Sequence, residues 1–387
     1  MVTATMVIWL RILSTAQWLL EDTGSAVLVG AIGVVQLVVQ IPALLWGGTL
    51  ADRLDRKQLM VLANTLTFLV MLGLGVLDAR GLLTPSMVYV GIAVSAASQM
   101  LSSPARSALV PMVVPKRHLL LAASTDTASQ NAASIAGPLL FAGVVAAAGL
   151  TTAFFVAAAV ALPAALLPLL IRAHGRAQGH EAGVRASTVQ QTWEGLRYVA
   201  RHPILPGLFL LDTGITIASF YREILPVLAL GLFAGGASAT GLLGAANSTG
   251  AIAGSFLALA LVAYRAKGML VLYASLAYGV FLFGFGMAGN LWVGVLMIAA
   301  LGAADAVTVA VRQTTVMLTT PDHMRGRAFA LMILAAQTAN NVGTIWVGAW
   351  AATIGAANTI VLGGVISIVA TCLIWRFWRP IREFRSD

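Results

Sequence analysis

Long apolar stretches recur along the whole chain and are separated by short polar segments. Most are about 20 residues or longer, which is the length of helix that crosses the hydrocarbon core of a bilayer. The predicted spans are 1–21, 26–50, 59–77, 86–110, 119–147, 150–171, 204–222, 237–262, 269–287, 291–317, 325–352 and 356–376. This pattern predicts an all-α polytopic membrane protein with twelve transmembrane helices.

The longest polar interval separates the first six spans from the last six. We therefore predict an N-terminal six-helix bundle over 1–171, a cytoplasmic linker over 172–203, and a C-terminal six-helix bundle with a short basic tail over 204–387. Within the linker, Trp193, Leu196, Val199 and Ala200 fall on one helical face. This spacing predicts an amphipathic helix at the membrane interface that braces the two halves.

The two halves contain matching residues at a constant offset of 206 positions. The matched pairs are Arg106 with Arg312, Pro115 with Pro321, Ala122 with Ala328, Gly137 with Gly343, and Gly149 with Gly355. Internal repeats are typical of transporters that bind substrate between two related bundles. The offset therefore predicts two pseudo-symmetric bundles.

The formal net charge of +9 reflects topology rather than nucleic-acid binding. The chain is 59% hydrophobic, whereas a soluble domain is about 45–50% apolar. With the N-terminus inside, nearly all of the 23 Lys and Arg residues fall in predicted cytoplasmic loops or in the tail, which is the positive-inside bias. We predict a multi-pass protein of a bacterial cytoplasmic (inner) membrane with both termini in the cytoplasm.

The sequence contains no pattern typical of an enzyme. Cys372 is the only cysteine, which excludes an intrachain disulfide or a cysteine metal cluster. The five histidines fall in predicted loops without ligand spacing, and we interpret them as solvated. There is no phosphate-binding loop of the Gly-Lys-Ser/Thr type. We therefore expect no cofactor, no metal centre and no catalytic site.

A charged segment interrupts the apolar pattern between the second and third spans. Five of the ten residues from Gly48 to Lys57 are charged, so this segment must lie in a polar loop rather than in lipid. The loop, the twelve spans and the linker resemble the major facilitator superfamily, and in particular its enterobactin-exporter-like and macrolide-efflux-like permeases. Other motifs that resemble this branch are Thr23-Gly24-Ser25, Pro104-Ala105-Arg106, Gly137-Pro138, the segment Glu194 to Pro203, and Arg325-Gly326-Arg327.

The resemblance implies a gate and an antiporter-like motif. Asp52 would face the N-terminal end of span eleven, and the alternative is that the loop charges only fix topology. The candidate gating residues are Asp52, Arg53, Arg56, Arg106, Arg325 and Arg327. Gly137 and Pro138 resemble the antiporter motif of span five. Span one lacks the leader that proteins of this branch carry, which suggests a longer natural N-terminus.

Charged residues within spans are expensive in lipid and point to function. Asp126, Asp212 and Asp305 fall in spans five, seven and ten, and we identify Arg11 as the only basic residue deep in a span, a possible partner for them. Family analogy implies that spans one, four, seven and ten line a central cavity. These four residues are our candidates for proton coupling or substrate binding, and the alternative is a static buried pair.

Arg222 and Glu223 are predicted at the outer end of span seven, as an interfacial pair or an outer gate. The resemblance implies a secondary active transporter that exports amphipathic drugs, macrolides or siderophores by alternating access and proton antiport. Its partners would be the small-molecule substrate, protons and the lipid bilayer, without nucleic acid, and the protein would be a monomer. The alternatives are an ion-coupled importer of a nutrient and a non-transporting sensor or scaffold.

Overall fold

The computed structural model describes residues 2–40, 42, 55–170 and 188–385, and almost all of them are helical. The helices of the first half are α1 (Val2–Thr23), α2 (Ala26–Gln40), α3 (Arg56–Ala79), α4 (Pro85–Val113) and α5 (Leu119–Leu166). Those that follow are α6 (Thr188–Arg201), α7 (Leu205–Ser219), α8 (Leu225–Phe233), α9 (Ala237–Ala260), α10 (Lys267–Gly286), α11 (Leu291–Thr319), α12 (Asp322–Ile354), α13 (Ala356–Phe377) and α14 (Arg379–Glu383). The all-α fold class is confirmed.

Among the described residues, 8 helices are long and apolar enough to cross a membrane. One of them contains both span five and span six, because α5 continues through a kink at Gly149. The remaining predicted spans correspond to α2, to α4 and to α7. Every predicted span is therefore matched by helix in the part of the chain that the structure describes.

Short polar side chains fix where several helices begin. Ser25, Asp55 and Asn290 each accept hydrogen bonds from backbone N–H groups in the first turns of α2, α3 and α11. These N–H groups have no partner within the helix, so a capping side chain stabilises the end by about 1 kcal/mol. Local sequence therefore defines these boundaries.

Span seven is discontinuous, contrary to the prediction of one helix that ends at 222. Helix α7 ends at Ser219, Phe220 is extended, and α8 begins at Leu225 with Pro226 in its first turn. Arg222 and Glu223 follow the end of α7, and the 9 residues of the apolar α8 come after them. Their role as an interfacial pair or an outer gate stays a prediction. Glu223 is buried, and it accepts a hydrogen bond from the hydroxyl of Thr344 at 3.5 Å.

The chain divides into two compact units. The first unit contains Met1–Gly24 and Val34–Arg185, and in it α1 packs on α5 while α3 packs on α4 and α5. The second unit contains Ser25–Gly33 and Ala186–Asp387; α9 packs on α11, α10 packs on α11 and α13, and α7 packs on α12 and α13. The first part of α2 belongs to the second unit, where Gly30 of α2 lies against Gly348 of α12. The two backbones come so close that a Cβ added to Gly30 would lie only 3.0 Å from the Gly348 Cα.

Matched glycines perform the same task in each unit. Gly149 and Gly355 share an unusual backbone conformation, with φ of 82° and 84°, which glycine adopts without strain. A Cβ on Gly137 would lie 2.9 Å from the Trp9 Cβ of α1, and a Cβ on Gly343 would lie 2.7 Å from the Phe220 Cβ after α7. These pairs show that the repeat in the sequence is a structural repeat.

Candidate functional site

A buried ion pair joins α7 to α11 inside the second unit. Asp212 of α7 contacts the guanidinium of Arg312 of α11, and their side chains are only 16% and 7% exposed. The prediction that Arg11 is the only basic residue deep in a span is therefore wrong. The possible partnership of Arg11 with the acidic residues of the spans stays a prediction. Arg312 lies seven residues before the end of α11, about 10 Å along the helix axis, and the repeat offset had singled it out.

Asp305 lies two helical turns before Arg312, on the same side of α11. Asp305 is an exposed residue of α11 by its surface area, although protein atoms surround its carboxylate closely. It forms no hydrogen bond or ion pair with any residue that the structure describes. Asp305, Asp212 and Arg312 line one cavity of about 30 Å³, which has room for about one water molecule. A reachable carboxylate thus shares a small polar cavity with a buried ion pair.

The break in span seven places polar groups near Asp305. Arg222, within the break, interacts electrostatically with the Asp305 carboxylate, as does the buried Tyr278 of α10. Tyr221, also in the break, accepts a hydrogen bond from the amide nitrogen of Asn247 of α9. Sequence reasoning missed both tyrosines, and only Tyr278, a phenol in the middle of the apolar α10, offered a signal.

The first unit contains the remaining candidates for coupling. Arg11 is 5% exposed and lines a separate cavity of that unit. One carboxylate oxygen of Asp126 accepts a hydrogen bond from Gln130 at 2.9 Å, and the other is buried without a partner among the described residues. Gly137 and Pro138 lie within α5, where Gly137 is a site of close helix packing. A functional role for these residues stays a prediction.

The predicted gate is only partly within the described structure. Asp52 and Arg53 lie outside the described residues. Arg56 lies in the first turn of α3 and Arg106 lies in α4, and their side chains are not described. The two arginines of α12 have partners within their own unit. Arg325 pairs with Asp322 at 2.6 Å, and Arg327 pairs with Glu194 at 2.7 Å.

The linker helix is confirmed as α6, but its apolar face is divided. Val199 is buried, whereas Trp193 and Leu196 are 66% and 43% exposed. Val199 packs in a cluster with Leu205, Val316, Ala328 and Met332. In the described part of the chain, the second unit therefore covers Val199 and leaves the side chains of Trp193 and Leu196 exposed.

His202 connects α6 to α7 and is not simply a solvated loop residue. Its Nδ1 accepts hydrogen bonds from the backbone N–H groups of Ile204 and Leu205, at 3.2 and 3.3 Å. Partial burial lowers the pKa of His202 below its usual value of 6.5. The neutral ring therefore caps α7. No group of three or more His, Cys, Asp or Glu that could hold a metal occurs among the described residues.

Comparison with known proteins identifies the family. The family model for transmembrane secretion effectors, a branch of the major facilitator superfamily, matches residues 2–386. The chain is 26% identical to an enterobactin exporter of Citrobacter koseri over 371 residues, which cover 94% of this chain and 83% of the relative. It is 27% identical to the uncharacterized MFS-type transporter YfiS of Bacillus subtilis, over 87% of this chain and 81% of that one.

Solved transporter structures share the fold. The inward-open xylose transporter XylE of E. coli has a TM-score of 0.72 and 15% sequence identity, over 100% of this chain and 96% of that chain. The nucleoside transporter NupG has a TM-score of 0.72 and 14% identity, over 96% and 99%. With two related helical bundles and a family match along its length, this multi-pass membrane protein belongs to the transmembrane secretion effector family of major facilitator transporters.

Proposed function

We propose that this secondary transporter exports amphipathic small molecules by proton antiport, with Asp305 as the proton-carrying group. The observation that carries the proposal is the reachable Asp305 carboxylate beside the buried pair of Asp212 and Arg312. The names of the relatives support export and a siderophore-type substrate. Macrolides and other amphipathic drugs belong to the same proposal.

The charges of the cluster explain why one proton would matter. Asp212 and Arg312 compensate each other, so the protonation state of Asp305 decides the net charge of this cavity. In a low-dielectric interior a single charge interacts strongly with its neighbours, and Arg222 is one of those neighbours. Asp305 would take up a proton from the outside and release it to the inside. The protonated and the charged forms of Asp305 would favour different access states. A bias of this kind couples proton movement to transport.

Access would be controlled by the charged loop that contains Asp52, Arg53 and Arg56, with Arg106, Arg325 and Arg327 as candidate partners. This role rests on the family resemblance. We place the protein in the bacterial cytoplasmic membrane with both termini inside, because that orientation puts nearly all basic residues on the cytoplasmic side. The proposal takes the transporter to be a monomer.

The test uses everted membrane vesicles whose lumen has been acidified. Enterobactin, erythromycin, ethidium and xylose are added one at a time while a pH-sensitive dye reports proton release. We expect release on addition of an amphipathic compound, and loss of that release in Asp305→Asn. The matched control is Glu383→Gln, which neutralises an exposed carboxylate in α14 of the same unit. A full response in Asp305→Asn vesicles would refute the role of Asp305, and a response to xylose alone would favour import of a nutrient.

A further inference from the structure

A cavity of about 630 Å³ lies at one end of the second unit, apart from the cavity that contains Asp305. It is bounded by the ends of α9 and α11, by the start of α10, and by the residues that follow α14. All of the described lining residues belong to the second unit. The volume is within the range of about 300–1,000 Å³ that is typical of small-molecule sites. The cavity is therefore large enough for an organic ligand.

The C-terminal segment, residues 379–385, forms one wall of this cavity because it is held against the start of α10. Ile381 of this segment is buried, and its backbone carbonyl lies so close to Gly268 of α10 that a side chain on Gly268 would overlap it. The carbonyl of Phe384 accepts a hydrogen bond from the N–H of Gly268 at 3.4 Å. These contacts place Arg385 at the same cavity as Lys267, the first residue of α10.

The cavity is lined by two cations and by no acidic residue of the described chain. Lys267 is only 7% exposed, and its ammonium donates hydrogen bonds to the backbone carbonyls of Leu261 and Val262 at 3.3 and 2.5 Å. An ammonium has three N–H donors, so two neutral acceptors leave one donor and the positive charge uncompensated. Neither Lys267 nor Arg385 forms an ion pair with a carboxylate in the part of the chain that the structure describes. A charge with so little exposure to water is costly unless an opposite charge lies near it.

Large apolar side chains line the same cavity. Leu259 and Val262 at the end of α9 and Leu318 of α11 are each more than half exposed. A free inorganic anion would pair with the cations but leave these side chains uncovered, whereas the acyl chain of a lipid would cover them. Basic groups beside apolar walls, at the ends of membrane-spanning helices, are typical of sites for the headgroups of anionic lipids.

We propose that this cavity binds an anionic phospholipid, with its phosphate on Lys267 and Arg385 and the start of an acyl chain along Leu259 and Leu318. An ammonium and a guanidinium both form strong, charge-assisted hydrogen bonds to phosphate. In the orientation proposed above, this end of the second unit lies at the cytoplasmic leaflet, whose surface potential is negative. The bound lipid would tie the C-terminal segment to the ends of α9 and α11. None of these residues is among those proposed for coupling or gating, so lipid binding here is a separate property of the protein.

The test is native mass spectrometry of the purified full-length protein, released from a neutral detergent, which resolves each bound lipid by its mass. The probes are dioleoylphosphatidylglycerol and dioleoylphosphatidylcholine, which have the same acyl chains but differ in net charge. We expect the first phosphatidylglycerol molecule to bind at least about tenfold more tightly than the first phosphatidylcholine molecule, a difference of about 1.4 kcal/mol. Equal dissociation constants for the two lipids would overturn the proposal.

Matched variants locate the bound lipid. Lys267→Gln keeps an N–H donor but removes the charge, and it should abolish most of the preference for phosphatidylglycerol. Arg385→Gln changes an exposed residue, so it tests the cavity even if Lys267→Gln does not fold, and it should lower the preference at least about threefold. Arg379→Gln is the control, because it removes a positive charge from an exposed position of the same segment that does not line the cavity. An unchanged preference in folded Lys267→Gln or in Arg385→Gln, or an equal loss in Arg379→Gln, would contradict the assignment.

A further probe distinguishes a lipid from a soluble anion. Glycerol phosphate carries the charged group of phosphatidylglycerol without its acyl chains, and it is offered at the same concentration as the lipid. We expect it to occupy far less of the protein than phosphatidylglycerol does, because the apolar walls of the cavity add to the affinity for the lipid. Equal occupancy by glycerol phosphate would overturn the lipid as the occupant and would make the cavity a site for a soluble phosphate.

Discussion

Replacement of Arg312 by leucine tests whether the buried ion pair is a structural necessity of the second unit. The substitution leaves the Asp212 carboxylate, which is 16% exposed, without its guanidinium partner. Leucine fills part of the space of the arginine with an apolar side chain, in a helix that packs against α9 and α10. The main physical change is therefore an uncompensated charge.

The expected cost follows from the burial of both partners. Removal of one member of a buried pair typically destabilises a protein by about 3–5 kcal/mol, because the other charge stays buried and unpaired. The pair of Glu194 and Arg327 provides a comparison within the same unit, since these side chains are 42% and 35% exposed. An exposed pair contributes only about 0.2–1 kcal/mol. We therefore expect Arg312→Leu to be several times more damaging than Arg327→Leu.

The assay is denaturant unfolding of the purified protein in detergent, followed by tryptophan fluorescence. Arg312→Leu should lower the free energy of unfolding by about 3–5 kcal/mol. The double variant Asp212→Leu with Arg312→Leu should recover most of that loss, because no charge remains buried. A single variant within about 1 kcal/mol of the wild type, or a double variant as unstable as the single one, would refute the reasoning.

Three further predictions concern a helix cap, a close helix contact and the charged loop. Burial lowers the pKa of His202. The neutral ring therefore contributes its capping stabilisation, about 1 kcal/mol, fully above pH 6.5, and this stabilisation is lost as the pH falls through the lowered pKa. The unfolding temperature of the wild type should fall over this pH range, and that of His202→Gln should not show this loss. Gly343→Ala should lower the free energy of unfolding by about 1–3 kcal/mol, because the new Cβ would lie 2.7 Å from the Phe220 Cβ. Gly326→Ala is the control and should cause no measurable loss, because no atom lies within 4 Å of its new Cβ. Equal stability of the two variants would contradict the packing argument. Asp52→Asn should reduce the initial rate of transport at a normal level of membrane-inserted protein, and a normal rate would remove Asp52 from the gate.

The apolar pattern predicted the helices because a bilayer admits few other solutions for a buried backbone. It did not predict the helix that follows the break in span seven, since the charges of Arg222 and Glu223 end the apolar run and the stretch from Ile224 to Phe233 is too short to cross a bilayer. The apolar pattern also failed to indicate that Arg312 is buried, for a related reason. A charge near the end of a predicted span suggests a loop residue, and only the position of Asp212 on the neighbouring helix shows that it is paired.

The candidate site was predictable as a set of rare charges but not as a set of contacts. Asp212 and Asp305 stand out because charge is scarce in the spans. Tyr221 does not, since tyrosine is common at the ends of spans, and Tyr278 offers only a phenol in the middle of an apolar helix. Their proximity to Asp305 depends on how α7, α10 and α11 pack, which one sequence without aligned relatives does not reveal.

The most direct test of the account is to separate substrate exchange from proton-driven transport in proteoliposomes that contain Asp305→Asn. Labelled substrate is measured once with unlabelled substrate on the other side and no pH difference, and once with an imposed pH difference and no counter-substrate. Exchange should be retained while uphill accumulation is lost, as expected for a transporter that can still change its access state but cannot use the proton. Uphill accumulation at the wild-type level in Asp305→Asn would contradict the account.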